Sequence, residues 1–313
     1  MFTLVIVNNW HSHSIDFVLA FPQAPLQTNI FMKPPKVPHD FNIPDIPLFT
    51  DRFTKAYKLI KNFYGLKDVG RTWNQHLISG LVKHDWKQLT IDTCMFTKQG
   101  LLLLLYVDDA CIISPSQAKI HLEIKSLLRD FDLTDEGKLE DYLGTLFQRN
   151  KNGTVTLSMP WMIERDLDIV GFNTKTHIKT YDTPTVKNLT SAPDNQPRVQ
   201  KWYYRSTVGY LSYIYAMIRL EICYVVQHCV HLNDNPSKYH EEAVKIICCY
   251  LLLTKIKILV LKPDKSSGLE CYTDADWVGA WKAHSSTDPL SIHSRTSCVI
   301  LYARYPILWK SKL

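Results

Sequence analysis

The sequence predicts an α+β fold in which antiparallel strands pack against helices. The first observation is a β-hairpin pattern over 101–113, where an apolar run, a short polar break and a second apolar run follow one another. The second is a set of apolar residues at near-helical spacing over 71–86. The third is a group of short strand-like runs towards the end of the chain, at 269–273, 298–302 and 307–309.

Local signals extend this prediction along the chain. Ser114 is expected to cap a helix, with Pro115 in its first position and Gln117 completing a capping box. The remaining segments are predicted from periodicity and composition: a strand at 154–158, a helix near 160–170, a polar linker at 173–201, and helices near 204–230 and 236–253.

Composition limits the class of protein. A chain of 313 residues is long enough for two or three domains, and 46% hydrophobic with 21% charged residues is typical of a globular protein. The net charge of +6 is compatible with a polyanionic partner but does not require one. No basic segment precedes an apolar one at the start, and the apolar stretches at 211–230 and 244–261 carry charged residues. We therefore expect an intracellular protein that is neither secreted nor inserted in a membrane.

Cysteine and histidine give no metal-binding pattern. The eight cysteines contain no Cys-x-x-Cys and are interpreted as reduced thiols. The twelve histidines do not fall into ligand spacing either. The closest pairs, His11 with His13 and His228 with His231, are interpreted as solvated or core histidines.

The polar break of the hairpin consists of Asp108 and Asp109. Two carboxylates between buried strands repel each other unless a cation joins them, and oxygen ligands of this charge suit Mg²⁺ or Mn²⁺. An Asp-Asp pair is also common in ordinary turns, because Asp tolerates turn geometry. A metal site would need a third carboxylate, and Asp16 follows a short apolar run far upstream. By itself Asp16 is more typical of a helix cap or a surface acid.

Short motifs follow one another in a fixed order along nearly the whole chain. They include Asp16-Phe17-Val18-Leu19-Ala20-Phe21, Phe63-Tyr64-Gly65-Leu66-Lys67 with Arg71-Thr72-Trp73, Tyr106-Val107-Asp108-Asp109, Asp135-Glu136-Gly137, Tyr204-Arg205-Ser206-Thr207-Val208-Gly209 and Tyr272-Thr273-Asp274-Ala275-Asp276. Each motif alone is weak, but the ordered series is specific. Together they resemble the reverse transcriptase region of copia-type LTR retrotransposon polyproteins.

This resemblance implies an RNA-directed DNA polymerase. Asp16 and Asp108 would bind two Mg²⁺ (or Mn²⁺) ions, with Asp109 as the third acid of the set. Such an ion pair activates the primer 3′-hydroxyl and stabilises the leaving pyrophosphate. The implied partners are an RNA template, a DNA primer, their heteroduplex, dNTPs and other parts of the polyprotein, in a cytoplasmic virus-like particle or the nucleus.

The resemblance also assigns roles around the acids. Phe21 would pack under the deoxyribose and exclude a 2′-hydroxyl, and Gly65 would allow close approach of the incoming base. Lys67 and Arg71 would contact template or primer phosphates. Without the motif, Phe21 would be interpreted as ordinary core packing and the two cations as ordinary surface residues.

The implied organisation has three parts. Residues 1–150 would form a polymerase palm with an antiparallel sheet, 151–265 a helical thumb or connection, and 266–313 a truncated RNase H-like sheet. Asp274 matches the first metal-binding acid of an RNase H domain, whereas Asp276 is not assigned to metal. We expect the fingers of the polymerase and the later RNase H acids to be missing, so RNA hydrolysis is not expected. Two alternatives stay open: a non-catalytic nucleic-acid-binding remnant, and a decayed transposon reading frame.

Overall fold

The structure is a computed structural model that describes residues 2–34, 56–152, 154–171, 181–184, 197–198, 202–255, 257, 259–262, 264, 266–276 and 294–312. Most of the linker predicted at 173–201 lies outside these residues. The described part combines helices with antiparallel sheets, which confirms the predicted α+β class.

The described helices are α1 Phe2–Val7, α2 Ala20–Gln23, α3 Val69–Lys83, α4 Gln117–Leu127, α5 Pro160–Val170, α6 Tyr204–Met217, a 3₁₀ turn at Leu220–Ile222, α7 Cys223–Val230 and α8 Lys238–Leu253. The described strands are β1 His11–Phe17, β2 Phe31–Met32, β3 Tyr57–Lys58, β4 Lys87–Gln88, β5 Met95–Lys98, β6 Leu101–Tyr106, β7 Asp109–Ser114, β8 Leu133–Lys138, β9 Asp141–Tyr142, β10 Thr145–Arg149, β11 Val155–Ser158, β12 Leu259–Leu261, β13 Leu269–Ala275, β14 Thr296–Tyr302 and β15 Tyr305–Lys312. None of the described helices is long and apolar enough to cross a membrane.

The chain divides into two compact units. One consists of Trp10–Leu139, and the other of Met1–Asn9 together with Glu140–Leu313. The predicted division at 150 and 265 refers to functional parts of a polymerase, and it stays a prediction.

The unit Trp10–Leu139 contains a six-stranded sheet in the order β4-β5-β6-β7-β1-β8, with every neighbouring pair antiparallel. Leu101, Leu103 and Leu105 alternate along β6 and are buried, because side chains on a strand point to opposite faces in turn. They join one apolar core with α3 and α4, whose buried residues recur at helical spacing. That core includes Ile15, Phe17, Trp73, Leu77, Leu81, Ile112, Ile120, Ile124 and Leu127.

The prediction that Ser114 caps α4 is wrong. Ser114 is the buried last residue of β7, where its hydroxyl donates to the carbonyl of Gly100. The cap is Ser116, whose side-chain oxygen accepts from the backbone N–H of Lys119. The helix starts later than predicted because β7 continues through Ser114, so that Pro115 lies before the cap.

The other unit holds two further sheets, in the orders β12-β11-β10-β9 and β13-β14-β15, together with α5 to α8. The strands predicted at 269–273, 298–302 and 307–309 lie within β13, β14 and β15. The helix predicted near 204–230 is interrupted after Met217, so this prediction is wrong in part. Arg219 has a non-helical backbone conformation, and its buried guanidinium donates to Glu221 and Thr254.

Candidate active site

The hairpin and the neighbouring strand bring the three predicted acids to one end of the six-stranded sheet. Asp16 is directly opposite Asp109 in the antiparallel pair of β1 and β7. The hairpin turn consists of Val107 and Asp108, so the prediction that both adjacent acids form the break is wrong for Asp109, which is the first residue of β7. Directly opposed residues project from the same face of a sheet. Asp16 and Asp109 therefore share a face.

Asp108 lies beside the end of β1. The backbone N–H of Phe17 donates to the carbonyl oxygen of Asp108 at 3.0 Å. Partial burial raises the pKa of Asp16, and the negative charge of Asp108 raises it further. The neighbours Ile15 and Phe17 belong to the core under the helices, so Asp16 projects from the opposite face of the sheet, where it is half-buried.

The turn that carries Asp108 has a strained backbone and is held by a buried side chain. Val107 has a φ of 61°, a left-handed conformation that a β-branched residue rarely adopts. The indole N–H of Trp73, on α3, donates to the carbonyl of Val107 at 2.7 Å. Local strain of this kind persists only where the surroundings enforce it.

Phe21 and Gly65 lie on segments near this end of the sheet. Phe21, on the short helix α2, is partly buried, and its ring centroid is 4.9 Å from that of Tyr64. Gln23 anchors the segment, because its side chain bonds the carbonyl of Val18 and both backbone groups of Asp132. Gly65 has a φ of +94°, and a Cβ built there would meet nothing within 4 Å. Within the chain itself, glycine is therefore favoured at position 65 by the positive φ and not by a lack of space for a side chain.

The remaining predicted residues are at the surface. Lys67 and Arg71 are exposed around the start of α3. Asp274 is exposed on β13, in the other unit, opposite Ser297. Asp276 accepts a hydrogen bond from the backbone N–H of Arg295.

Comparison with known proteins identifies the family. A family model described as reverse transcriptase (RNA-dependent DNA polymerase) matches residues 1–187. The chain belongs to the reverse transcriptase family. The predicted resemblance to copia-type retrotransposon Pol polyproteins is confirmed by relatives that align with nearly all of this reverse transcriptase chain.

Three relatives illustrate the match. The chain is 27% identical to the retrovirus-related Pol polyprotein from transposon RE1 of Arabidopsis thaliana, over 99% of this chain and 20% of that protein. It is 28% identical to the Pol polyprotein from transposon TNT 1-94 of Nicotiana tabacum, over 96% of this chain and 22% of that protein. It is 26% identical to the transposon Ty5-1 protein of Saccharomyces cerevisiae, over 95% of this chain and 92% of that protein. This reverse transcriptase chain thus spans about a fifth of the two polyproteins.

Reverse transcriptases generally use divalent metal ions, and the chemistry of the three acids fits such an ion. Carboxylate oxygens are the ligands that Mg²⁺ and Mn²⁺ prefer. The repulsion from Asp108 that raises the pKa of Asp16 is also what a bound cation relieves. Asp16 and Asp108 are the residues that could hold the ion, with Asp109 beside them on the same sheet.

Two features of this reverse transcriptase chain were not predicted. The first is the bond from Trp73 to Val107; a buried tryptophan N–H needs an acceptor, but the sequence does not show which one. The second is a group formed by His13, His121 and Asp135, whose ligand atoms all lie within 4.8 Å of one another. Among the described residues, these three side chains are close enough to one another to share one metal ion.

Proposed function

We propose that the unit Trp10–Leu139 is the palm of a reverse transcriptase, which adds deoxynucleotides to a primer 3′-hydroxyl on an RNA template. The observation that carries this proposal is the cross-strand pairing of Asp16 with Asp109, beside the turn that presents Asp108. Acids far apart in sequence lie there at one end of the same sheet. The family match over 1–187 supports the same reaction.

The three aspartates would act as one acidic site. Asp16 and Asp108 are the proposed metal ligands, and Asp109 is the third acid of the site. When bound, two Mg²⁺ (or Mn²⁺) ions supply Lewis-acid activation of the attacking hydroxyl and neutralise charge on the leaving pyrophosphate. The protein contributes position: the ladder of β1 and β7 fixes Asp16 and Asp109, and Trp73 holds the turn that fixes Asp108.

Residues around the acids would bind the substrates. Phe21 is proposed to contact the sugar of the incoming dNTP and exclude a 2′-hydroxyl, supported by its ring packing beside Tyr64. Gly65 would leave room for the base. The exposed side chains of Lys67 and Arg71 would contact phosphates of the template, the primer or their heteroduplex.

The second unit is proposed to hold the accessory parts. Its helices α5 to α8 would form a thumb or connection, and β13 to β15 would correspond to an RNase H-like sheet that carries Asp274. A single assigned acid cannot hold two metal ions, so we propose no RNA hydrolysis by this part. The wider polyprotein, of which relatives such as RE1 are examples, would supply further activities.

Primer extension tests the proposal directly. The full chain is incubated with a DNA primer on an RNA template, dNTPs and Mg²⁺ or Mn²⁺. We expect extension, and we expect Asp108→Asn to abolish it. Asp234→Asn, which removes an exposed carboxylate from a loop, is the control and should leave extension unchanged.

The outcomes separate the open alternatives. Extension that survives Asp108→Asn would overturn the assignment of the acidic site. Tight, salt-dependent binding of an RNA–DNA heteroduplex without incorporation would favour the non-catalytic nucleic-acid-binding alternative. If the chain neither binds the heteroduplex nor extends the primer, the result would favour the decayed reading frame.

The sugar contact has its own test. We expect Phe21→Val to raise incorporation of ribonucleotides relative to deoxynucleotides, because the smaller side chain makes room for a 2′-hydroxyl. Phe31→Val, at an exposed position on β2, should leave the ratio unchanged. An unchanged ratio in Phe21→Val would assign Phe21 to core packing alone.

A further inference from the structure

A second cluster of ligand-type side chains lies in the unit Trp10–Leu139, away from the three aspartates. His13 is on β1, Asp135 on β8 and His121 on α4, and their ligand atoms all lie within 4.8 Å of one another. We propose that these three residues bind a transition-metal ion of the Zn²⁺ type, which ties the two strands to the helix that covers them. Nothing in the polymerase reaction uses these side chains.

The distances suit such an ion. The Nδ1 atom of His13 lies 3.3 Å from a carboxylate oxygen of Asp135. Two ligands about 2.0–2.2 Å from a tetrahedral Zn²⁺ lie roughly 3.4 Å apart, so this pair already has the required separation. The rings of His13 and His121 are perpendicular, with centroids 4.8 Å apart, so the two imidazoles are in edge-to-face contact. The ligand nitrogen of His121 lies within 4.8 Å of the other two ligand atoms, and a rotation of this exposed side chain would draw it towards a bound ion.

A neighbouring backbone group orients the carboxylate of the cluster. The backbone N–H of Gly137 donates to the Asp135 oxygen that faces His13, at 2.9 Å. An outer contact of this kind fixes the rotamer of a metal ligand. His13 itself is only 5% exposed, whereas Asp135 and His121 reach solvent, so water can complete the coordination.

A hydrogen bond between His13 and Asp135 is the simplest competing explanation of the cluster. It accounts for two of the three residues, whereas a shared ion accounts for all three ligand atoms lying within 4.8 Å of one another. Two imidazoles and one carboxylate favour Zn²⁺ or a similar ion over Mg²⁺, which takes oxygen ligands and several waters. The cluster therefore differs in metal preference from the three aspartates.

The position of the cluster indicates a structural role. His13 and Asp16 are three residues apart on β1, so their side chains project from opposite faces of the sheet. A metal at His13 would hold β1 against β8 and α4 without touching the substrates. The pairing of β1 with β8 has an irregular register between Ser14 and Ile15, next to this point. The ion would thus stiffen the strand that presents Asp16.

Cobalt substitution tests the proposal on the full chain. Co²⁺ is titrated into metal-free protein and the visible absorption of bound Co²⁺ is recorded. We expect one bound ion without a thiolate-to-cobalt band, which excludes ligation by the free cysteines. His121→Ala and Asp135→Asn should each weaken Co²⁺ binding at least tenfold. His121 is exposed, so its removal leaves the core intact.

His84→Gln is the matched control, because His84 forms a histidine–carboxylate pair with Asp130 in the same unit but has no place in the three-residue group. It should bind Co²⁺ like the unaltered protein. Equal affinity in His121→Ala and His84→Gln would overturn the proposal, as would a thiolate band or the absence of bound Co²⁺.

Thermal unfolding gives a second readout that does not depend on colour. Zn²⁺ at about a hundredfold excess over its Kd should raise the Tm of the unaltered chain by about 5 °C or more. The same Zn²⁺ should raise the Tm of His84→Gln equally and that of His121→Ala hardly at all. A Tm shift that is the same in all three proteins would assign the effect to other sites and overturn the proposal.

Discussion

The indole N–H of Trp73 donates a 2.7 Å hydrogen bond to the carbonyl oxygen of Val107, the strained residue of the hairpin turn. Trp73 is 1% exposed in the core beneath the sheet. Helix α3 therefore holds the backbone immediately before Asp108 from the buried side. The position of one proposed metal ligand thus depends on a core tryptophan that never meets the substrate.

Replacing Trp73 by Phe keeps an aromatic ring but removes the donor to Val107. We expect the free energy of unfolding to fall by about 1–2 kcal/mol, because a hydrogen bond and some packing are lost. We also expect slower primer extension, because the turn that carries Asp108 is less firmly held. Urea denaturation and single-nucleotide incorporation rates measure the two effects.

Trp86→Phe is the matched control. Trp86 is also buried, and its indole N–H donates to Glu123 at 2.8 Å, so its loss should cost similar stability. Because this bond does not touch the hairpin turn, the incorporation rate should stay the same. If both variants slow extension equally, the bond to Val107 has no special positioning role.

The conformation of Val107 leads to a second prediction. A left-handed backbone costs an L-residue about 1–2 kcal/mol, and glycine avoids this cost but loses about 0.5–1 kcal/mol of chain entropy. Val107 is 48% exposed, so little packing is lost with its side chain. We therefore expect Val107→Gly to raise the free energy of unfolding by about 0.5–1 kcal/mol, measured by urea denaturation.

Val82→Gly is the comparison for this change. Val82 is similarly exposed, at 56%, but it lies within α3, where glycine is unfavourable. This variant should lose about 0.5 kcal/mol. A lower free energy of unfolding in both variants would show that glycine does not relieve backbone strain at position 107.

Local patterns predicted much of the fold because they depend on neighbouring residues. The apolar run of β6 and the helical spacing in α4 are visible in the sequence itself, and both elements form. The exact start of α4 was missed, because the end of β7 at Ser114 depends on pairing with other strands. The break at Arg219 was missed because its partner Thr254 is distant in sequence.

The candidate site shows the same division. The hairpin acids were visible as a polar break, but the register that places Asp16 opposite Asp109 is set by the whole sheet. Resemblance to a family supplied that link, whereas periodicity did not. His13, His121 and Asp135 show no common spacing and belong to no common segment, so only the folded chain brings them together.

The raised pKa of Asp16 predicts a pH dependence of stability. Burial, and then the charge of Asp108, disfavour the ionised form in the folded state. The folded state therefore binds this proton more tightly than the unfolded chain does. The stability that proton binding contributes is fully present below the pKa of the unfolded chain, and it is lost as the pH rises through the pKa of the folded state. In the absence of divalent ions, Asp16→Asn should be more stable than the unaltered protein near pH 7, with the difference shrinking towards pH 4.

Urea denaturation across this pH range, with a chelator present, measures the difference. Asp234→Asn removes an exposed carboxylate and should follow the unaltered protein at every pH. Adding Mg²⁺ near pH 7 should stabilise the unaltered protein more than Asp16→Asn. A constant difference between Asp16→Asn and the unaltered protein at all pH values would contradict electrostatic strain at this site.

Gly80 in α3 predicts the largest steric effect. A Cβ at this position would overlap a ring carbon of Phe131, which packs against the helix. Gly80→Ala should therefore lower the free energy of unfolding by about 1–3 kcal/mol, because overpacking outweighs the better helix propensity of alanine. Gly70→Ala, in the same helix and with nothing within 4 Å of the added Cβ, should instead raise it by up to about 1 kcal/mol. If urea denaturation shows a lower free energy of unfolding for Gly80→Ala and a higher one for Gly70→Ala, the effect comes from the contact with Phe131. A higher free energy of unfolding in both variants would mean that the Phe131 ring moves aside freely.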